Sequence, residues 1–543
     1  MLRAALQQLK SRLTGNGANL INPEDYNIVK EGRAEILFPK KDTVFYNPVQ
    51  QFNRDLSVCC IKAWDHMYGQ PSKKSRRRRR KAAEEGEEPE GKRRRVDDRE
   101  HEDEQENVES TPYIKILEAL SATGLRAIRY AREIPHVKEV LANDLLPEAV
   151  ESIRRNAEFN HVKGLVKPNT DDANVLMYRN KAQNNRYHVI DLDPYGTVTP
   201  FVDSALQTVE DGGLMLVTCT DLSVLAGNGY PEKCYALYGG VNMVSHESTH
   251  ESALRLVVNL LNQSAAKYKK CVEPLLCLSI DFYVRVFVRV RTSPIDVKNL
   301  QSNTMITYHC SQCGSYHQQP LGRASDKTTK KNKTIRKYSV AQGPPVDTKC
   351  KFCGGTYHLA GPMYAGPLHN AEFIDQVLKI NAQHDDHTYG TRRRIEGMLT
   401  LAKSELSDSP FYFSPNHLSS ILKLQVPPLK KIVAGLGSLG YSCSLTHAQP
   451  SSLKTNAPWE AIWYVVSQSD SDKGKLARMK EGTVGHRILS RMNDWMADYN
   501  FSKLSFEPNE QSGQLESLRK LKIVRYQENP TKNWGPKARP NSS

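Results

Sequence analysis

Six consecutive residues, Asp191-Leu192-Asp193-Pro194-Tyr195-Gly196, carry the densest chemistry in the chain. The exocyclic amine of a nucleobase is a poor nucleophile, because its lone pair is delocalised into the ring. A carboxylate that accepts its N–H, with a backbone carbonyl beside it, localises that lone pair and can relay the proton lost after attack. Proline holds the carbonyl in place, and the adjacent aromatic offers a face on which an extruded base stacks. Asp-Pro-Tyr therefore has one part for each requirement, with Asp193 as the acceptor and Pro194 and Tyr195 shaping the pocket. A simple turn is the plainer account, since Asp-Pro and Tyr-Gly also end strands.

What precedes the motif argues for more than a turn. From Thr111 to about Arg291, strand-like and helix-like segments alternate, which predicts βαβ units and a mainly parallel, doubly wound α/β sheet. Tyr113–Ala119, Val137–Ala142, Tyr187–Leu192 and Gly213–Thr218 read as strands. Leu125–Arg132 and Pro147–Phe159 read as helices. Leu278–Val290 alternates Phe282, Val284, Val286 and Val288 with Arg285 and Arg289, the pattern of a half-exposed strand. In such sheets ligands sit beyond the carboxyl ends of the strands. There the chain has the small turn Ser121-Ala122-Thr123-Gly124, then Asp144 at the end of the second strand, then Asp171-Asp172-Ala173-Asn174 after the third. Asp144 is placed to hold ribose hydroxyls and the Asp171–Asn174 stretch to accept from an adenine amine. No G-x-G-x-x-G fingerprint or P-loop is present, which disfavours a dinucleotide oxidoreductase or an ATP site. An adenosine pocket without a phosphate site describes S-adenosylmethionine. Taken singly, each acid is also an ordinary helix cap.

A second constellation lies downstream. Cys310-x-x-Cys313 and Cys350-x-x-Cys353 have the spacing of a closed, structural Zn2+ site with four thiolates. Each pair is followed by glycine, which lets the backbone turn back on the sulfurs. His317 and His358 read as surface or core residues and not as ligands. Other cysteines, such as Cys219, Cys271 and Cys277, sit singly in apolar stretches, as free thiols of a reducing compartment do.

Lys and Arg exceed Asp and Glu by 75 − 60 = 15, which favours an anionic partner, with nucleic acid first. No apolar run approaches the ~20 residues needed to span a bilayer, so no membrane partner is expected. Residues 1–23 carry Arg3, Lys10 and Arg12, no acid, and Leu2, Leu6, Leu9 and Leu13 at helical spacing, as in a mitochondrial transit segment or a plain surface helix. Residues 72–109 alternate basic and acidic blocks with almost nothing to bury and read as a disordered insertion. Its two basic clusters suit nuclear import or RNA contact. Residues 321–340, between the cysteine pairs, are polar and basic. Pro415–Leu424 and Pro427–Tyr441 read as helices and Gln449–Val466 as a loop and strand, together suggesting a winged helix. The expected segmentation is a methyltransferase domain at 24–300, a zinc-binding module at 301–370, a winged-helix-like RNA-binding domain at 371–470 and a polar tail at 471–543.

These strings resemble a known family, the eukaryotic tRNA guanine-26 N2-dimethyltransferases. The likeness begins with Glu31-Gly32-Arg33-Ala34-Glu35, Phe45-Tyr46-Asn47-Pro48-Val49-Gln50 and Phe52-Asn53-Arg54-Asp55. It continues through Ser121–Arg126, the Asp-Leu-Asp-Pro-Tyr-Gly motif, Thr218-Cys219-Thr220-Asp221, Asp281–Val290 and both cysteine pairs, most of residues 24–465. The resemblance implies a class I (Rossmann-like) methyltransferase fold and cofactor contacts from Arg54, Arg126, Asp144, Asp172 and Ala173. It further implies Asp193 as the catalytic residue, tRNA as substrate, N2-methyl- and then N2,N2-dimethylguanosine as products, and residence in nucleus and mitochondrion. Within it, the guanine would stack near Tyr195 and Phe45. Thr197-Val198-Thr199-Pro200 departs from the more usual Ser-Pro after the glycine, and the 72–109 insertion, which splits the first block from the sheet, is not carried over from the family. Two other readings stay open: a methyltransferase for another nucleic-acid amine, and a non-catalytic RNA-binding or chaperone protein on the same fold.

Overall fold

The computed structural model describes residues 25–40, 46–69, 111–328, 332, 334–470 and 475–520. The transit-like segment 1–23, the insertion 72–109 and Phe45 lie outside these residues, as do the last residues of the tail.

The chain opens with a hairpin of β1 (Tyr26–Glu31) and β2 (Ala34–Pro39), followed by helix α1 (Gln51–Tyr68). A βα alternation then runs β3 (Ile114–Glu118), α2 (Leu125–Glu133), β4 (Val137–Asp144), α3 (Pro147–Phe159), β5 (Val166–Thr170) and α4 (Ala173–Ala182). It continues through β6 (Tyr187–Leu192), α5 (Val202–Thr208), β7 (Val209–Cys219), α6 (Pro231–Tyr238), α7 (Thr249–Ala266), β8 (Lys270–Ile280) and β9 (Tyr283–Thr292). The seven strands form one sheet in the order β5-β4-β3-β6-β7-β9-β8, parallel except for β9, which runs antiparallel to both neighbours. The doubly wound sheet expected from the sequence is therefore present, and its order reverses between β3 and β6, where ligands of such sheets bind. One face is packed by α1, α2 and α3, through Phe52, Leu56, Ile128 and Ile153 among others. The other is packed by α4, α5 and α7, through Met177, Leu206 and Leu254.

The reading of Leu278–Val290 as one half-exposed strand is corrected. Asp281, at φ +46°, turns the chain between β8 and β9, and β9 lies inside the sheet with both faces covered. Arg285 is fully buried. The alternation of valine and arginine was real; what faces the arginine is not water but a carboxylate on another strand.

Beyond the sheet, β10 (Thr304–Cys310) pairs with β11 (Tyr316–Pro320) on one side, and β12 (Gly322–Thr328) and β13 (Thr334–Val340) form a separate hairpin. β14 (Tyr357–Tyr364) completes the three-stranded sheet on the other edge of β10. Helices α8 (Ala371–Ala382) and α9 (Arg392–Ser404) place Phe373, Ile374, Met398 and Leu399 in the core shared with α1. They thus pack with the methyltransferase sheet, although they fall within the segment 371–470 expected for the C-terminal domain. That domain proper has α10 (Pro415–Ile421), α11 (Leu429–Ser438), the short pair β15 (Cys443–Leu445) and β16 (Leu453–Thr455), and α12 (Trp459–Gln468). The two helices lie within the segments read as helices, and the two-stranded pair begins at Cys443, ahead of the stretch 449–466 read as loop and strand. Trp459–Gln468, however, is a helix and not a strand, because Trp459, Ile462, Trp463 and Val466 recur at helical spacing behind Pro458 and all are buried. The segment read as a polar tail also contributes to this core, through Ile488, Trp495, Phe501 and Leu515.

Candidate active site

Five parallel strands end at one edge, and each delivers a polar group there. β3 ends in Glu118, β4 in Asp144 and β5 just before Asp171-Asp172, while β6 leads into Asp193 and β7 into Thr220-Asp221. The turn after β3 is drawn against its neighbours: Ser121 N–H donates to Asn143 O at 2.8 Å and Ala119 N–H to Asp191 O at 3.1 Å. Gly124 enters α2 at φ +77°, and a Cβ there would meet Ile153 at 3.1 Å. Glycine is required both for that conformation and for that approach.

The site's charges are built around Arg126 on α2. Its guanidinium binds the Asp193 carboxylate directly and lies 3.5 Å from Asp191 and 3.8 Å from Glu118. Its other nitrogen donates to Ser57 Oγ at 3.2 Å and Asn53 Oδ1 at 3.4 Å on α1. Asp191 accepts from Arg285 at 2.9 Å and from Tyr130 Oη at 2.5 Å. Burial alone would push the Asp191 carboxyl up, but Arg285 and Arg126 overcome it and hold it below the usual carboxylate range. Glu118 goes the other way. Enclosed in the core, with Arg126 and the Ser121 hydroxyl opposing but Asp191 and Asp193 adding like charge, it is pushed up to about 8. Glu118 and Asp191 are thus driven in opposite directions within one cluster.

Asp193 is partly exposed, Pro194 is buried and Tyr195 is 48% exposed. The loop is stapled to the next strand: Gly196 N–H donates to Thr220 Oγ1 at 2.8 Å, and Thr220 N–H returns to Gly196 O at 3.0 Å. Behind it, Thr197 donates to Tyr238 Oη at 2.9 Å, and that hydroxyl donates to Asp221 at 2.8 Å. Asp144, expected to hold ribose hydroxyls, accepts from Ala122 N–H at 2.9 Å and Leu146 N–H at 3.0 Å and so also braces the turn after β3. Asp172 caps α4 through Oδ1, which accepts from Asn174 and Val175, and its residue is exposed; Ala173 opens the helix and is buried.

Arg54 stands apart from this group. It is clamped by Glu31 through two bonds of 2.6 Å and lies over the Tyr46 ring at 5.5 Å. Glu31 also receives Arg129 at 2.8 Å, and Arg129 binds Asp55 at 2.6 Å and Glu133 at 2.9 Å. Sequence reasoning grouped Arg54 with Arg126; the structure joins them through neighbouring residues of α1 and not by contact. It missed Glu31 and Glu118 as structural acids and the Asp191–Arg285 pair entirely. The available signals were an acid at the end of the strand that leads into the small-residue turn and an arginine in the middle of an apolar strand.

The four cysteines converge. Cys310 Sγ lies 3.4 Å from Cys353 Sγ and Cys313 Sγ 3.7 Å from Cys350 Sγ, with all four sulfurs within 4.8 Å of one another and buried. Four thiolates about 2.3 Å from a common centre sit roughly 3.7 Å apart at the corners of a tetrahedron, so the donor set is compatible with zinc. Gly314 and Gly354 adopt φ of +73° and +71°, and Gly355 N–H donates to Cys353 Sγ at 3.4 Å. The glycines after each pair thus serve the turn expected of them. His317 and His358 are not among the grouped donors.

A sheet of this order, with an acid at each strand tip and no phosphate cradle, defines an S-adenosylmethionine-dependent methyltransferase of the class I fold. The model of the family described as N2,N2-dimethylguanosine tRNA methyltransferase matches residues 17–467. The chain belongs to that family. It is 72% identical to the Saccharomyces cerevisiae protein "tRNA (guanine(26)-N(2))-dimethyltransferase, mitochondrial", over 100% of this chain and 97% of that one. It is 44% identical to the Schizosaccharomyces pombe tRNA (guanine(26)-N(2))-dimethyltransferase, over 94% of this chain and 92% of the relative. Among solved structures, the complex of Trm1 from Pyrococcus horikoshii with S-adenosyl-L-methionine aligns with a TM-score of 0.61 and 25% identity, covering 81% of this chain and 99% of that one. Among the described residues no helix is long and apolar enough to cross a membrane.

Proposed function

We infer that this chain transfers methyl groups from S-adenosylmethionine to N2 of guanine 26 in tRNA and forms N2,N2-dimethylguanosine. The observation that carries the reading is Asp193, partly exposed at the tip of β6 and held by Arg126, in a chain matched by the family model over most of its length.

Arg126 holds the Asp193 carboxylate in place, so that it accepts an N–H of the flipped guanine instead of rotating away. Pro194 fixes the backbone beside it, and the Tyr195 face receives the base. The amine lone pair, drawn out of conjugation, points away from the two acceptors toward the cofactor side of the site. Asp193 then takes the proton lost on alkylation. N2-methylguanosine still bears one N–H, so the same acceptor serves a second transfer; the dimethylated product has none left to offer. When bound, the cofactor supplies an electrophilic methyl on a sulfonium, and the protein contributes position and electrostatics. Arg54, Arg126, Asp144, Asp172 and Ala173 are assigned to hold it. The free Oδ2 of Asp172 and the absence of a phosphate cradle support an adenosine ligand.

The cysteine cluster is assigned a structural zinc ion. It shares a core with α10, α11 and α12, which supports a role in fixing the C-terminal module as a tRNA platform. Residues 1–23 and the basic clusters in 72–109 support import into mitochondria and nucleus respectively.

The decisive experiment is methyl incorporation from labelled cofactor into unmodified tRNA, with guanine or another base at position 26, followed by nucleoside analysis. Loss of incorporation with the substituted base and N2,N2-dimethylguanosine in the parent product are expected. Incorporation that persists removes the position, and none at all, with tight RNA binding, favours a non-catalytic role. Elemental analysis is expected to return one zinc per chain, and none in Cys313→Ser.

A further inference from the structure

The β12–β13 hairpin has no core of its own. Seven residue pairs, from Gly322–Val340 to Thr328–Thr334, form a two-stranded ribbon that pairs with no other strand among the described residues. Such ribbons are marginal in water unless something else holds them. Here the holds are at the base: Leu321 N–H donates to Thr304 O at 2.8 Å, Gly322 sits against Gln301, and Tyr338 Oη donates to Asn299 at 3.2 Å. From there the ribbon extends about 20 Å at ~3.4 Å per residue.

Its two faces differ. Directly opposed residues share a face, so Arg323–Ser339, Ser325–Lys337 and Lys327–Ile335 lie on one side, and Ala324–Tyr338, Asp326–Arg336 and Thr328–Thr334 on the other. The second face carries Tyr338, which reaches the body of the protein, and sets Asp326 opposite Arg336. The first face points the other way and carries Arg323, Lys327 and Lys337, all exposed, with no acid. A protein with no use for that face would gain nothing from three uncompensated cations on a marginal ribbon.

The base of the ribbon is also remote from the chemistry. β9 runs from Val284, beside Cys219, to Val290, beside Gly213, so it descends from the Asp193 end of the sheet to the opposite end. Asn299 and Gln301 follow that descent. Only a long ligand reaches both places.

We propose that the outer face of the β12–β13 ribbon is a phosphate-binding arm that grips the tRNA substrate at a distance from the methylated guanine. This rests on the tRNA reading above. Phosphate contacts orient and hold an RNA without reading its sequence, and each one removed lowers the dependence of binding on salt by about one unit of log–log slope.

The test is equilibrium binding of unmodified tRNA between 50 and 200 mM salt, with the full-length protein. Arg323→Ser/Lys327→Ser/Lys337→Ser is expected to weaken binding about tenfold at the lower salt and to flatten the slope by roughly two to three. Thermal unfolding and kcat at saturating tRNA stay at the parent values. Arg336→Ser, on the inner face, is expected to move the affinity by less than about twofold, because that charge is set across the ribbon from the acid Asp326 and faces away from the outer row. Unchanged affinity and slope in the triple variant overturn the proposal, as does an equal loss in Arg336→Ser, which would make the effect one of bulk charge. A parent that binds tRNA but transfers no methyl group sinks the proposed reaction and leaves the arm standing. A parent that does not bind tRNA sinks both.

Discussion

The tips of the parallel strands and the β12–β13 ribbon are both rich in charge, yet they use it in opposite ways. Beneath Asp193, and in the neighbouring network of Arg129, the charges are paired and mostly enclosed: Arg126 against Asp193 and Asp191, Arg285 against Asp191, Arg129 against Glu31, Asp55 and Glu133. On the outer ribbon face they are exposed and of one sign. Enclosed pairs fix a carboxylate to a fraction of an ångström, as a reaction at one atom demands. An exposed row of one sign attracts a polyanion from a distance and tolerates imprecision. Removing one enclosed partner should therefore damage geometry and stability together, and removing an exposed one should alter only association.

The largest effect is expected at Asp193. Asp193→Ala should lower kcat by about 10²–10⁴-fold while tRNA affinity stays within a few fold; turnover near the parent rate in a labelled-cofactor assay would break the assignment. Next is Arg285→Met, which strips Asp191 of its closest cation. It should destabilise the fold by about 3–5 kcal/mol in denaturant unfolding, with part recovered by adding Asp191→Asn. Retained stability in the single variant would mean that the buried pair is not integral. Glu31 gives a pH signature. Burial pushes its carboxyl up, but Arg54 and Arg129 outweigh that and lower it to about 2 from 4.5. The ionised form is thus favoured by folding, so its contribution is complete above pH 4.5 and is lost as pH falls from there toward 2. At about 1.4 kcal/mol per pH unit this is about 3 kcal/mol. Glu31→Gln should show that deficit at pH 7, and the gap to the parent should close in acid. Smallest is Ile335→Ser on the ribbon, which should change global stability by no more than about 0.5 kcal/mol. A larger loss would mean that the ribbon belongs to the core.

Most of the scaffold was legible because its signals are local. The βα alternation, Pro147 opening α3, the small turn ending in Gly124 and the Cys-x-x-Cys spacings are each written within a few residues of one another. The parts that were not legible depend on partners far along the chain. Arg285 finds Asp191 94 residues away, and a period of two looks the same whether the polar side meets water or an ion pair. Glu31 likewise reaches Arg129 across 98 residues. Helices α8 and α9 carry clear helical patterns, but nothing in those patterns says which core receives them. Trp459–Gln468 is a different kind of miss: its helical spacing was present within the stretch read as loop and strand.

The open ribbon has a cost in self-association. Both of its outer edges present backbone donors and acceptors that pair with no strand among the described residues, and an unprotected edge is a template for another chain. The cations that would meet phosphate are also the groups that repel a second copy of the same ribbon. RNA capture and resistance to aggregation are therefore one property of these residues. A version of this protein freed from its need to hold RNA would still have to keep the arm charged, or lose it altogether.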